Sequence, residues 1–264
     1  MNQAALKPLR EVFWHAFWAI ATKETRRYTR IWIQTLVPPA ITMTLYFLIF
    51  GHLIGSRIPM IGGVSYMAFI VPGIVMMAVI TSSYANVTSS FFGAKMNRYV
   101  EEMLVAPVSN NVILLGFVCG GVGRGLLVGL VVLLIALCFT HLPMTHWLVT
   151  LSVIFLTAVL FALGGFINAV YAKKFDDIAI VPNFVLTPIT YLGGVFYSLQ
   201  MLPPFWRGLS HLNPVVYMVN AFRYGMVGVA DVPIGLAYGI LLLTIAVFYL
   251  YAWRLLRSGV GLRG

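Results

Sequence analysis

Residues 93–110 read Gly93-Ala-Lys-Met-Asn-Arg-Tyr-Val-Glu-Glu-Met-Leu-Val-Ala-Pro-Val-Ser-Asn110, a charged connection between two apolar runs that are each long enough to cross a bilayer. From Lys95 to Ala106 the residues suit a helix: Met96, Tyr99, Val100, Met103 and Leu104 share one face, while Lys95, Arg98, Glu101 and Glu102 can stay solvated. Pro107 ends it, because a proline ring disfavours helix in the residue before it. A short charged helix held rigidly between two spans is mechanically suited to receive force from a cytoplasmic partner, although composition alone does not make it a lever.

On both sides of this connection the chain is overwhelmingly apolar. Of 264 residues, 61% are hydrophobic and only 9% charged, with a mean hydropathy of +0.94, which leaves too little polar surface to cover a soluble globule. An all-α membrane protein is predicted. A span needs roughly 20 mostly apolar residues to cross a hydrocarbon core about 30 Å thick, and six transmembrane helices are read at 32–53, 64–92, 112–140, 146–170, 178–197 and 233–253. No secretory signal fits the N-terminal stretch, so the first span is expected to be retained. Cys119 and Cys138 lie on one predicted helix about 28 Å apart, too far to pair, and are read as buried, unreactive thiols.

The 17 Lys and Arg against 7 Asp and Glu would suggest nucleic acid in a soluble protein, but their placement argues otherwise. Lys7, Arg10, Lys23, Arg26, Arg27 and Arg30 precede the first span; Lys95 and Arg98 lie in the second connection, Lys173 and Lys174 in the fourth, and Arg254, Arg257 and Arg263 in the tail. The odd-numbered connections hold only Arg57, Arg207 and Arg223. Positive charge stays cytoplasmic, so both termini are placed inside, the span number is even, and no nucleic-acid partner is expected.

Within residues 1–31, Leu6, Leu9, Val12, Phe13, Phe17 and Ile20 recur at helical spacing, with Arg10, Glu11, Lys23 and Glu24 on or near the other face and Trp14 and Trp18 beside the stripe. This suits an amphipathic helix in the headgroup layer against membrane lipids, or one packed on another subunit. Pro38 and Pro39 predict a kink or a partly unwound start to the first span. The second span ends polar, with Thr81, Ser82, Ser83, Tyr84, Asn86, Thr88, Ser89 and Ser90 either lining a water-accessible path or making close helix contacts.

Gly116, Gly120, Gly121, Gly123, Gly125 and Gly129 give the third span small-residue ladders that permit close backbone approach. Arg124 among them needs acceptors, water or a position at the cytoplasmic boundary. Asp176 and Asp177 read as an N-terminal cap for the fifth span, and Pro188 predicts a break in its middle. Residues 198–231 hold two short elements, one starting at Pro203-Pro204-Phe205-Trp206 and one capped by Asn213 with Pro214 at its first position. Both are read as re-entrant helices on the outer side, dipping into or lying on the outer leaflet.

Three blocks carry a family resemblance. Arg98-Tyr-Val-Glu-Glu-Met-Leu-Val-Ala-Pro-Val-Ser109 resembles the segment after the second span of ABC-2 type exporter permeases, where a Glu, a Leu pair and a Pro-Val-Ser turn recur. Phe175-Asp-Asp-Ile178 and Leu212-Asn-Pro-Val-Val-Tyr-Met-Val-Asn-Ala-Phe-Arg223 are similar to two further blocks of that family, in the branch that includes NodJ and YadH. Each block alone is weakly specific; three in register along the chain are strong.

The resemblance implies one transmembrane domain over 1–264 in a bacterial inner membrane. It implies that helix 95–106 docks in a groove of a separate ATP-hydrolysing subunit, with Lys95, Arg98, Glu101, Glu102, Met103, Leu104 and Pro107 as coupling candidates. The 1–31 helix would touch the same subunit. Two permeases and two ATPases would form the working unit, and the second and fifth spans would face a central path. Candidate path residues are then Thr81, Ser82, Tyr84, Asn86, Asn183, Thr187 and Tyr191, with an outer gate at Asn213, Pro214 and Tyr217. No cofactor is expected on this chain; ATP and Mg would be bound by the partner.

Other function classes fit less well. An ion-coupled carrier needs an ionisable group within the membrane, yet Glu11, Glu24, Glu101, Glu102, Asp176, Asp177 and Asp231 are all read outside the spans. No ring-forming charged set suits a channel. His15, His52, His141, His146 and His211 lack metal-like spacing, and no GxxxxGK[ST] phosphate loop occurs, so neither a metal site nor a catalytic site is expected.

Overall fold

The computed structural model describes residues 9–58 and 60–261; Leu6, Lys7 and Arg263 of the sequence reading lie outside the described residues. Helix α1 (Leu9–Arg30) runs to Ile31, a single non-helical residue, and the chain re-enters helix at once as α2 (Trp32–Tyr46). The interruption falls at Ile31 rather than at the prolines: α2 is helical through Pro38 and Pro39 and then widens into a π-helix over Phe47–Ile54. After a turn come α3 (Tyr66–Met96), α4 (Tyr99–Val105), α5 (Asn110–Leu137) and α6 (Trp147–Tyr171). A broken segment follows, then α9 (Pro204–Ser210), α10 (Pro214–Val227) and α11 (Ile234–Ser258).

Among the described residues five helices are long and apolar enough to span a membrane: Trp32–Gly51, Tyr66–Met96, Asn110–Leu137, Trp147–Tyr171 and Ile234–Ser258. The fifth expected span, 178–197, is not a continuous helix. It consists of α7 (Asp177–Val181), a π-helical turn (Pro182–Leu186) and α8 (Thr187–Tyr191). The break anticipated from proline is present, and the helical run ends at Tyr191 after about 22 Å, short of a hydrocarbon core. Asp177 does not cap this segment forwards: its carboxylate accepts from the Lys173 and Lys174 backbone N–H groups at 2.7 and 2.9 Å and ties down the preceding turn. Those two bonds hold its carboxyl below the usual carboxylate range.

Helix α3 is the centre of the bundle, buried from Ala68 to Ile80 without interruption, whereas α2 and α11 leave most of their apolar side chains at least partly exposed. A helix apolar all round is one that neighbours cover on every side. The glycines of α5 explain how two helices approach it from different directions. Built on Gly121, Gly125 and Gly129, a Cβ would fall 2.5, 1.8 and 2.6 Å from Val87, Ser83 and Val79 of α3; built on Gly116, Gly120 and Gly123 it would fall 2.7, 2.5 and 2.8 Å from Ile20, Glu24 and Tyr28 of α1. One small-residue face thus seats α3 and the other seats α1. The packed stripe of α1 is covered by α5 of the same chain, leaving Trp14 and Trp18 exposed. Cys119 and Cys138 are free and exposed, which corrects their reading as buried: the glycines, not the cysteines, mark the packed faces of α5.

Two further charged residues depart from the sequence reading. Glu24, placed on the polar face of α1, is fully buried because its position belongs to the face seated on Gly120. Helix α10 does not lie on a surface: Val215 to Phe222 are buried without a break, and Arg223 with them. The Arg223 Nε donates to Phe69 O at 3.1 Å and Nη2 to Gly194 O at 2.6 Å, while the guanidinium lies 3.8 Å from the centre of the Phe69 ring. Arg223 therefore contributes no exposed charge to the connection in which the sequence placed it.

Candidate translocation groove and cytoplasmic contact surface

A groove of about 320 Å³ opens between α2, α3 and α8. It is walled by Pro38, Pro39, Thr42 and Tyr46 from α2, Thr81 from α3, and Thr187, Thr190 and Tyr191 from α8, with Met43 and Met77 at its base. The threonine hydroxyls donate back to their own helices: Thr81 to Met77 O at 2.9 Å, Thr187 to Pro182 O at 2.9 Å and Thr190 to Leu186 O at 2.7 Å. Their remaining lone pairs make the lining uncharged and acceptor-rich. At one end the Tyr46 and Tyr191 hydroxyls meet, and Phe50 and Phe196 stack with them, the two phenyl rings 4.8 Å apart.

Of the seven path residues read from sequence, Thr81, Thr187 and Tyr191 come together here. Ser82 is buried, Asn183 is exposed on the broken segment, and Asn86 accepts from Arg27 Nη2 at 2.8 Å. Tyr84 instead faces a separate apolar crevice beside α6 and α11. Thr42, Tyr46 and Thr190 were missed. The first two could have been found, since Pro38, Thr42 and Tyr46 recur at four-residue spacing on a mostly apolar helix.

The outer-gate residues act as joinery. Asn213 Oδ1 caps α10 by accepting from Val215 N at 3.0 Å, its Nδ2 donates to Ile189 O at 2.6 Å, and the Tyr217 hydroxyl donates to His211 O at 2.9 Å. Pro214 stands at the first position of α10 and lines the apolar crevice. Asp231 accepts from Ser198 Oγ and Leu199 N, both at 2.8 Å, pinning the connection after the broken segment to the start of α11.

At the 93–110 connection the expected single helix 95–106 is two pieces. α3 continues through Lys95 to Met96, Arg98 takes a left-handed conformation with φ of 61°, and α4 starts at Tyr99. This turn resets the helical phase, so Met96 and Tyr99 are exposed rather than packed, while Val100 is fully buried and Met103 and Leu104 lean on the core. The end is as read: Ala106 is extended before Pro107. Lys95 is not a free contact residue, because its ammonium donates to Val170 O at 2.7 Å and Ala172 O at 2.8 Å, closing the C-terminus of α6. Glu102 and Pro107 are exposed, Glu101 half-buried. Val105, which sequence reasoning passed over, is 88% exposed, the most of any large apolar side chain among the described residues. Lys23 of α1 lies over the Tyr99 ring at 5.4 Å, joining α1 and α4 in one surface.

Comparison with known proteins gives a consistent result. A family model described as ABC-2 type transporter matches residues 15–227. The inner membrane transport permease YadH of Escherichia coli (strain K12) is 59% identical over 252 residues, covering 96% of this chain and 98% of that protein. Nodulation protein J of Neorhizobium galegae is 26% identical over 214 residues, covering 81% of this chain and 82% of its own.

Proposed function

The chain belongs to the ABC-2 type transporter family as a multi-pass inner-membrane transport permease, and from that premise we propose that it is the membrane half of an exporter driven by a separate cytoplasmic ATPase. The observation that carries the reading is the surface made by α4 with α1. A short helix displays Val105, Glu102 and Tyr99 outward while its other side, Val100, is locked into the core beneath α3. A displacement imposed on α4 is therefore passed to α3, which walls the groove through Thr81. ATP and Mg belong to the partner, and this chain performs no covalent chemistry.

Coupling requires the partner to favour one arrangement of the permease over another. In this reading ATP-driven closure of two ATPase subunits moves α4 in each of two permease copies, and the copies exchange inward-open and outward-open states. The groove between α2, α3 and α8 is half of the path; the second copy supplies the other wall. Its hydroxyl and aromatic lining suits an amphipathic cargo, lipid-like or glycan-bearing. The termini lie in the cytoplasm in this arrangement, in accord with the charge distribution.

The test is co-purification with the candidate ATPase. Glu101→Arg with Glu102→Arg is expected to abolish association or transport-coupled ATP hydrolysis while membrane insertion stays normal. Normal assembly and export in that double variant would remove the coupling assignment.

A further inference from the structure

The junction of α1, α3 and α5 holds a cation for which the described residues supply no hydrogen-bond acceptor at its buried Nε. Arg124 stands on α5 between Gly123, which receives Tyr28 of α1, and Gly125, which receives Ser83 of α3. Its Nε is buried and has no hydrogen-bond partner among the described residues. Arg27 of α1 reaches the same junction through Asn86, whose Nδ2 lies 3.5 Å from a Cβ built on Gly120, one helical turn before Arg124 on α5. The Arg27 guanidinium is already engaged, by Glu24 Oε2 at 3.3 Å and by the backbone and side-chain oxygens of Asn86 at 2.9 and 2.8 Å. The other Glu24 oxygen accepts from Ser90 at 2.5 Å.

Because Arg27 fixes Asn86 Oδ1 as the acceptor, the amide nitrogen of Asn86 faces the other way as a donor, and it too is buried without a partner. Glu24 is thus taken up by Arg27 and Ser90, with the donors Arg124 Nε and Asn86 Nδ2 left over among the described residues. Buried donors in such a setting call for an acceptor from outside the chain. Arg27 also lines an open groove of about 980 Å³ along α1, with Lys23, Arg26 and Arg30 beside it and no carboxylate among the described residues of its wall. The groove contains Trp18 and Ile31 and ends where α1 gives way to the first span at Trp32.

We propose that this junction is a binding site for the phosphate of an anionic phospholipid headgroup, held by Arg124 and Arg27 with Asn86. A guanidinium fork matches phosphate oxygens in pairs, and the cations along α1 supply the long-range attraction of a basic segment at an anionic leaflet. The lipid source is favoured over free phosphate because Trp18 and Ile31 share the groove with the cations, the pairing of apolar and basic residues that headgroup-level segments carry. The site fastens α1 to α3 and α5, and it is independent of the ATPase reading.

The experiment uses the full chain in nanodiscs of phosphatidylcholine, with and without phosphatidylglycerol, read by thermal unfolding and by native mass spectrometry of retained lipid. Phosphatidylglycerol is expected to raise the unfolding temperature and to be retained in preference to phosphatidylcholine. Arg124→Gln is expected to bind it roughly ten-fold more weakly, and Arg124→Lys, which keeps charge without the fork, to restore part of the loss. Arg254→Gln with Arg257→Gln, basic positions elsewhere, is expected to leave the preference intact. In pure phosphatidylcholine Arg124→Gln is expected to unfold no earlier than wild type, which separates binding from folding. An unchanged phosphatidylglycerol effect in Arg124→Gln overturns the site. Stabilisation by inorganic phosphate alone, with nothing added by phosphatidylglycerol, overturns the lipid source.

Discussion

Arg223 and Arg124 are both cations drawn into a helical bundle, and the two ends of the molecule treat them differently. On one side of the bundle Arg223 is fully buried without an ion pair, yet backbone oxygens of α3 and of the turn after α8 accept from it and the Phe69 ring covers its face. At the α1 junction Arg124 stands between glycines, and among the described residues its Nε finds no acceptor. A buried cation becomes structural when fixed carbonyls are aimed at it; without them the same group is available to an external anion. Lys95 belongs with Arg223, since α6 offers it two carbonyls that its own helix ending leaves free. The contrast separates a region built to stay assembled from one built to accept something.

The largest effect that would break this contrast is expected at Arg223. Arg223→Met leaves the Phe69 and Gly194 carbonyls without their donor and is expected to cost about 3 kcal/mol, measured as a lowered unfolding midpoint in detergent. A midpoint within error of wild type would mean that the cation is not a staple. The next effect compares glycines. In Gly73→Ala the new methyl meets Val195 backbone atoms at 2.7 Å, which cannot turn aside, whereas in Gly123→Ala it meets the Tyr28 hydroxyl at 2.8 Å, the end of a side chain that can. The first is expected to lose about 2 kcal/mol and the second less than half as much. Equal losses in thermal unfolding would place the same rigidity at both ends. The smallest effect is expected from Arg124→Met in neutral lipid, within about 0.5 kcal/mol of wild type because no bond is removed; a large loss there would reveal an acceptor within the chain.

The sequence by itself determined the membrane class, the helical fold, the family, the Asn213-Pro214 helix start, the stop before Pro107 and the weakness of the fifth segment. These follow from local quantities: apolar run length, the missing amide of proline, and a side chain that caps the next turn. It also identified α5 as a close-packing helix, but a run of six glycines offers two faces without saying which neighbour takes which. Only the tertiary structure decided that α1 occupies one and α3 the other. From that choice follow the burial of Glu24, the isolation of Arg124, and the division of the polar half of α3, where Thr81 reaches the groove while Asn86 turns to Arg27. Helical periodicity fixes which residues share a face; which face meets protein, lipid or a path is settled by the neighbours that pack against it.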